Sequence, residues 1–254
     1  MDKMTVLTHI YNEEYLLPFW LNHHKNIFDH GVIVNYDSDD SSISIINNIC
    51  PTWTVITSKN KEFDAINCDL EMMEVEENII GYKLILNVTE FLFCEPNFKN
   101  FLPKINNKCF KIPGLCLLSK KYNDNYYNPE TFKQLLNGID HIDIYHRSAR
   151  FIHSYKTGQY TCGRHSVLHN IDTIDENNLY AYIGCFTYYP WNKNLINRKL
   201  NVKNKLSKHS IDNKLGFHWL WTLEEMIQTK NELIENSDPI TNFPLLVKLF
   251  ANEL

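Results

Sequence analysis

Residues 6–42 read VLTHIYNEEYLLPFWLNHHKNIFDHGVIVNYDSDDSS, and the order of apolar runs and polar turns in this stretch decides the fold. Residues 4–9 form a short apolar strand. Leu16, Leu17, Trp20 and Leu21 then fall on one helical face, so the helix lies on a sheet. Val32, Ile33 and Val34 are the β-branched run expected of a strand buried on both faces. Strand, helix and strand in succession make a β-α-β unit. The acidic pair Glu13 and Glu14 sits where a helix macrodipole favours negative charge. Two polar turns, residues 8–14 and 36–42, therefore leave the carboxyl ends of neighbouring parallel strands, the edge at which open α/β sheets bind ligands.

Outward from this unit the chain keeps the same alternation. Asp39, Asp40, Ser41 and Ser42 are suited to cap a following helix, whose buried side is Ile43, Ile46 and Ile49 and which Pro51 ends. Residues 53–57 read as a third strand. A helix over residues 65–80 repeats apolar positions at Cys68, Met72, Val75 and Ile79, with Glu71, Glu74, Glu76 and Glu77 expected on a solvated face. Gly81 stops it, and residues 82–86 form a fourth strand that feeds directly into NVTEFLF. Residues 109–119 read as a strand bent at Pro113 and Gly114, residues 122–129 as a polar aromatic loop, and residues 180–189 as another strand. A closing amphipathic helix is expected over residues 223–234, followed by a packed tail.

The chain has 254 residues, enough for one α/β domain with a sizeable core, and 44% apolar with 22% charged residues describes an ordinary soluble globular protein. No apolar run is long enough to span a membrane. The opening MDKMTVLTH leaves no room for a signal peptide, so a cytoplasmic location is expected, and Asn87-Val88-Thr89 is then an accidental glycosylation match. Seven cysteines without a C-x-x-C pair suggest free buried thiols, not disulfides or structural zinc. The net charge of -5 gives no help to nucleic-acid binding, and no nucleic-acid partner is expected. The Asn, Ile and Lys bias points to an A/T-rich genome, of an unusual microbe or a virus. Neither G-x-x-x-x-G-K-[ST] nor G-x-G-x-x-G occurs, which argues against P-loop NTPases and ordinary dinucleotide enzymes.

The order strand, YNEE, LLPFWLNHH, then FDHGVIVNYDSDD resembles the start of a GT-A nucleotide-sugar glycosyltransferase of the family 2-like group. The resemblance implies an α/β, GT-A type fold: a Rossmann-like, mostly parallel central sheet flanked by helices, with a smaller acceptor-side C-terminal part. It divides a single domain, residues 1–254, into a nucleotide-sugar-binding half (1–95), an acceptor-side half (96–222) and a C-terminal helical tail (223–254). It also implies a UDP- or GDP-linked sugar donor, a glycan or glycoconjugate acceptor, and an inverting displacement.

In the resembled group the fourth strand ends in Asp-x-Asp followed by Glu-Phe, whose carboxylates hold Mn or Mg against the diphosphate. Here Glu90 and Phe91 match, while Asn87 and Thr89 replace both aspartates. An amide and a hydroxyl ligate a hard cation through oxygen but bring no negative charge, so metal binding should weaken. Three readings stay open: a metal-independent transferase, a weak metal site centred on Glu90, and a degenerate transferase that only binds sugar or nucleotide. A nucleotidyltransferase ranks last, because a Gly-rich basic first turn is missing.

The resemblance and the edge argument assign Thr8, Tyr11, Asn12, Glu13, Glu14 and Asp37 to the nucleoside, with Asp39 as a further contact. Asp64, after the third strand, is assigned to the donor, and Asn87, Thr89 and Glu90 to the sugar and diphosphate. Arg147, Arg150 and Arg164 offer bidentate donors to phosphate. Arg198, Lys199, Lys205, Ser207, Asp212, Gly216 and His218 fit the group's C-terminal pattern, as a basic lid over the nucleotide or as a solvated Lys-rich helix. Candidates for the general base are Glu90, Asp143 and His165. Among the histidines at 141, 146, 153, 165 and 169, a hydrogen-bonded structural role competes with a catalytic one.

Overall fold

The structure, a computed structural model, describes residues 3–102, 108–123, 127–144, 149–171 and 181–252. The opening unit forms as its apolar pattern requires: β1 is Met4–Ile10, α1 Leu17–His24 and β2 His30–Asn35. Next come α2 (Ser42–Ile49), β3 (Thr54–Thr57), α3 (Ala65–Glu76) and β4 (Tyr82–Ile85). Then follow β5 (Glu90–Cys94), α4 (Phe98–Phe101), β6 (Cys109–Ile112), β7 (Gly114–Leu118) and α5 (Phe132–Asn137). The chain continues with β8 (His141–Asp143), β9 (Arg150–His153), β10 (Ala181–Cys185), α6 (Lys193–Val202) and α7 (Lys208–Asp212). It ends with α8 (Leu223–Glu235), β11 (Asp238–Pro239) and α9 (Pro244–Ala251).

Among the described residues one sheet has the order β3-β2-β1-β4-β9-β6 and the other β11-β8-β7-β10-β5. β3, β2, β1 and β4 are parallel, while β9 and β6 close that sheet antiparallel. From β1 the chain steps outward to β2 and β3, then crosses to β4 on the other side of β1. The loops leaving β1 and β4 thus diverge at a topological switch point and open a crevice between them.

The run from β4 to β5 leaves the first sheet for the second, so residues 86–89 are a pivot as well as a turn. The single bent strand expected over residues 109–119 is instead two strands in two sheets, β6 and β7. Pro113, which has no N–H to give, stands at the break.

β5 lies at the open edge of its sheet, and α1 covers it with side chains. The Trp20 indole donates to the Glu90 carbonyl at 2.9 Å, and His23 Nε2 donates to the Leu92 carbonyl at 2.7 Å. His24 Nε2 accepts the Leu92 N–H at 3.1 Å while its Nδ1 donates to the Trp20 carbonyl at 3.0 Å. That pattern requires a neutral ring, and burial holds His24 well below the usual histidine range. Covering an edge in this way removes a row of unpaired backbone groups. One apolar cluster runs through both sheets, from Val6, Trp20 and Ile33 to Phe93, Ile183 and Phe250.

Three expectations change. The carboxylates of Glu13 and Glu14 do not sit in the first turn of α1; they serve the contacts described below. Glu71 and Glu76 of α3 are buried, because α3 is flanked by the loops at 58–60 and 153–160 and not by water. Glu71 accepts bonds from the Tyr36 and Ser58 hydroxyls, both at 2.7 Å, and Glu76 from the Gly158 N–H and the Tyr160 hydroxyl, both at 2.8 Å. Glu74 and Glu77 do face solvent, against Lys59 and Lys156. The cysteines are not all buried: Cys94 is half-buried and Cys162 exposed.

Candidate functional site

The two acidic turns lace to each other. The Asn12 amide donates to Asp39 Oδ1 at 2.6 Å, and its oxygen accepts the Asp39 N–H at 3.0 Å. The Glu14 N–H reaches Asp40 at 3.0 Å, and Glu14 Oε2 accepts the Ser41 N–H at 3.1 Å. Asn12 and Asp37 both hold positive φ, 53° and 55°, which short polar side chains tolerate. Asp37 is exposed. These residues shape the first turn, and they leave the cleft itself to their neighbours.

The cleft lies at the switch point, with a volume of about 140 Å3. His9, Tyr11 and Glu13 line it from the β1 side, and Asn87, Val88 and Thr89 from the β4 side. Thr187, Arg198, Lys199, His218 and Trp219 close it from the C-terminal part. Thr8 is fully buried and does not line the cleft, because side chains alternate along a strand and its neighbour His9 faces the opening. His9 escaped the sequence reading for that reason, although the period of two from Tyr11 would have found it. Burial, with the guanidiniums of Arg164, Arg198 and Arg150 acting against Glu90, pushes His9 down to about 3, so its ring is neutral. His9 Nδ1 and Thr187 Oγ1 are buried and have no hydrogen-bond partner among the described residues.

The C-terminal basic segment divides between the cleft and the surface. Arg198 reaches into the cleft and forms a two-bond ion pair with Glu13, and Lys205 stands over the Tyr11 ring at 4.9 Å. Lys193, Lys203 and Lys208 are exposed. Asp64 fixes this segment. It caps α3 through the Ile66 and Asn67 N–H groups and accepts Ser207 Oγ at 2.8 Å and His209 Nδ1 at 2.7 Å. Although burial opposes it, these bonds draw its carboxyl down to about 2. Asp64 therefore anchors the start of α7, the element after the one that carries Arg198, and Asp212 pairs with Lys208 at the surface.

Behind Asn87 lies a closed ring of charged side chains. Arg150 Nε and Nη2 donate to the two oxygens of Glu90 at 2.9 and 2.6 Å, and Arg150 Nη1 also reaches the Arg164 carbonyl at 3.3 Å. Arg164 Nη1 pairs with Asp69, whose second oxygen accepts the Gly163 N–H at 2.7 Å. Arg164 Nη2 donates to Asn87 Oδ1 at 2.8 Å, and Asn87 returns its backbone N–H and its Nδ2 to Glu90 at 2.9 and 3.2 Å. Asp69, Glu90, Arg150 and Arg164 are each at most 5% exposed. Asp69 was absent from the candidates, since a helical acid one position from an apolar stripe gives no signal of its partner.

This geometry bears on the metal that the resemblance implies. Glu90 is the one carboxylate in residues 87–90, and Arg150 takes both of its oxygens. The Asn87 oxygen faces Arg164. Among the described residues no three His, Cys, Asp or Glu stand together to hold an ion. As arranged, the turn does not fit a divalent cation.

The remaining candidates lie apart. Asp143 is 1% exposed, and the register Glu90↔Cys185↔Cys116↔Asp143 sets it three strands from Glu90, about 14 Å at the usual strand spacing. His165 is exposed beside the ring, close against Gly163, and desolvation together with Arg150 holds it below the usual histidine range. Arg147 and His146 lie outside the described residues.

No family model and no curated protein sequence matches the chain. Solved structures similar to it include S. aureus TarS 1-349, with 12% identity, 86% of this chain and 70% of that one covered, and a TM-score of 0.42. The mannosyltransferase PcManGT from Pyrobaculum calidifontis, in complex with GDP-Man and Mn2+, shares 16% identity at a TM-score of 0.35. Glucosyl-3-phosphoglycerate synthase from Mycobacterium tuberculosis, in complex with Mn2+, UDP and glucosyl-3-phosphoglycerate, shares 11% identity at a TM-score of 0.33. These two matches cover 48% and 45% of this chain, and the chain spans 37% and 44% of theirs, less than half of either. No helix among the described residues is long and apolar enough to cross a membrane.

Proposed function

We propose that this chain is a glycosyltransferase that moves a sugar from a UDP- or GDP-linked donor to a glycan or glycoconjugate hydroxyl, with inversion and without a required metal. The observation that carries the reading is the cleft's place, at the β1/β4 switch point of a parallel sheet. In this reading its lining residues Tyr11 and Trp219 meet the base, and Arg198 and Lys199 the diphosphate. Asn87 and Thr89 then meet the sugar and diphosphate. The basic side chains stabilise charge on the departing nucleoside diphosphate. His165, which stands beside the ring and outside the cleft lining, is the candidate to take the acceptor proton once the acceptor is bound. At about 140 Å3 the cleft is smaller than ordinary ligand sites of roughly 300–1,000 Å3.

A second reading, a binding protein of the same fold without turnover, draws on the engagement of Glu90 by Arg150. Calorimetric titration with UDP- and GDP-sugars in the presence of chelator, followed by an assay for nucleoside diphosphate release, separates the two. Binding with release supports the transferase. Binding without release in the presence of glycan acceptors supports the binding protein, and no binding with or without Mn or Mg refutes both.

A further inference from the structure

We propose that Arg164 is a positioning residue for the donor diphosphate, acting through Asn87, and that the Asp69–Arg164–Asn87–Glu90–Arg150 ring takes the place of a bound divalent cation. The inference rests on the transferase reading and deepens it. A metal at a pair of carboxylates sets two positive charges against two negative ones; here two guanidiniums stand against Asp69 and Glu90, with the same balance. A metal also fixes its ligands in one orientation. The ring does this for Asn87, whose oxygen is held by Arg164 at 2.8 Å and whose Nδ2 is held by Glu90 at 3.2 Å, so the carboxamide cannot flip without losing both bonds.

Asn87 is the member of the ring that lines the cleft, while Arg164 is buried behind it. The backbone carries a second sign. Arg164 holds φ at 59°, a region that a long side chain occupies at a cost and that clusters at sites where geometry is imposed by function. Gly163 before it, at φ 77°, lets the chain double back so that its own N–H reaches Asp69. The turn that delivers the guanidinium is thus tied to the same carboxylate that the guanidinium binds. At His9, which lines the cleft, burial lowers the pKa most, and Arg164 and Arg150 of the ring add to it while Glu90 opposes them.

The test uses the full-length chain and its Arg164→Met, Arg164→Lys and Asn87→Ala variants, with dissociation constants for UDP and GDP and KM and kcat for nucleoside diphosphate release. Arg164→Met is expected to weaken nucleotide binding on the order of 10- to 100-fold, as loss of positioning does, with no recovery on adding Mn or Mg. Arg164→Lys, which keeps the charge but not the fork, should recover part of it. Asn87→Ala should show a similar loss, and the double variant should be no worse than either single one, because both act through one contact. If Arg164→Met fails to fold, Asn87→Ala still decides, since its side chain lines the cleft. Unchanged nucleotide affinity in folded Arg164→Met or in Asn87→Ala, or additive losses in the double variant, overturns the inference. Wild-type binding that depends on Mn overturns it, together with the metal independence proposed above, while leaving sugar transfer itself standing. No nucleotide binding under any condition removes the reading on which it rests.

Discussion

Replacing Arg150 by Met removes both bonds to Glu90, at 2.9 and 2.6 Å, from a pair whose side chains are 5% and 3% exposed. A solvent-exposed pair would lose no more than about 1 kcal/mol. A buried carboxylate stripped of its counter-ion loses about 3–5 kcal/mol, because its desolvation is no longer offset. The carbonyls of Ala149, Gly163 and Arg164 lose a donor in the same substitution. At roughly 2–4 °C per kcal/mol for a domain near this size, the melting temperature of Arg150→Met should fall by about 6–20 °C. The assay is urea and thermal denaturation of wild type, Arg150→Met, Glu90→Leu and the double variant. The double variant should recover at least half of the loss of Arg150→Met, since no unpaired charge remains. A loss below about 1 kcal/mol in Arg150→Met, or additive losses in the double variant, would refute the account of Glu90 as a buried, fully compensated charge.

Acid should destabilise the protein before its carboxylates titrate. His9 and His24 are held neutral in the folded chain while the unfolded chain takes up their protons below about 6.5. Stability should be level above that pH and fall by about 1.4 kcal/mol per pH unit for each of the two as the pH drops toward 4. Urea denaturation at pH 7, 6, 5 and 4 reads the slope, and a flat profile would contradict the buried neutral rings. The lowered Asp64 carboxyl adds its own loss later, from its unfolded value near 3.8 down through about 2. Asp64→Ala should cost about 1 kcal/mol as a lost helix cap and should also release residues 207–209 from their tether. Hydrogen exchange should then rise in α7 more than in α1; equal protection in the variant and wild type would show that Asp64 does not anchor the segment.

The early part of the chain was legible because local patterns suffice for it. The apolar spacing of Leu17, Trp20 and Leu21 and the run Val32 to Val34 describe a helix and a strand whatever else the chain does, and parallel pairing follows from the helix between the strands. The strand before Asn87 was also read from its apolar run, while the turn from Asn87 to Glu90 was singled out by its resemblance to the Glu-Phe strand end of the family 2-like group. Alternation along β1 alone would have exchanged Thr8 for His9.

What tertiary structure decided is which polar groups meet. Nothing near Glu76 in sequence announces His153 and Tyr160, and nothing near Glu90 announces Arg150, sixty positions away. The ring joins residues from α3, the pivot turn, the start of β5, β9 and the turn at Gly163, and each contributes one charge or amide that reads locally as surface. Periodicity records whether a side chain is apolar, and so it places the core. A buried ion pair is a relation between distant segments, and its energy depends on the absence of water that only the folded packing creates.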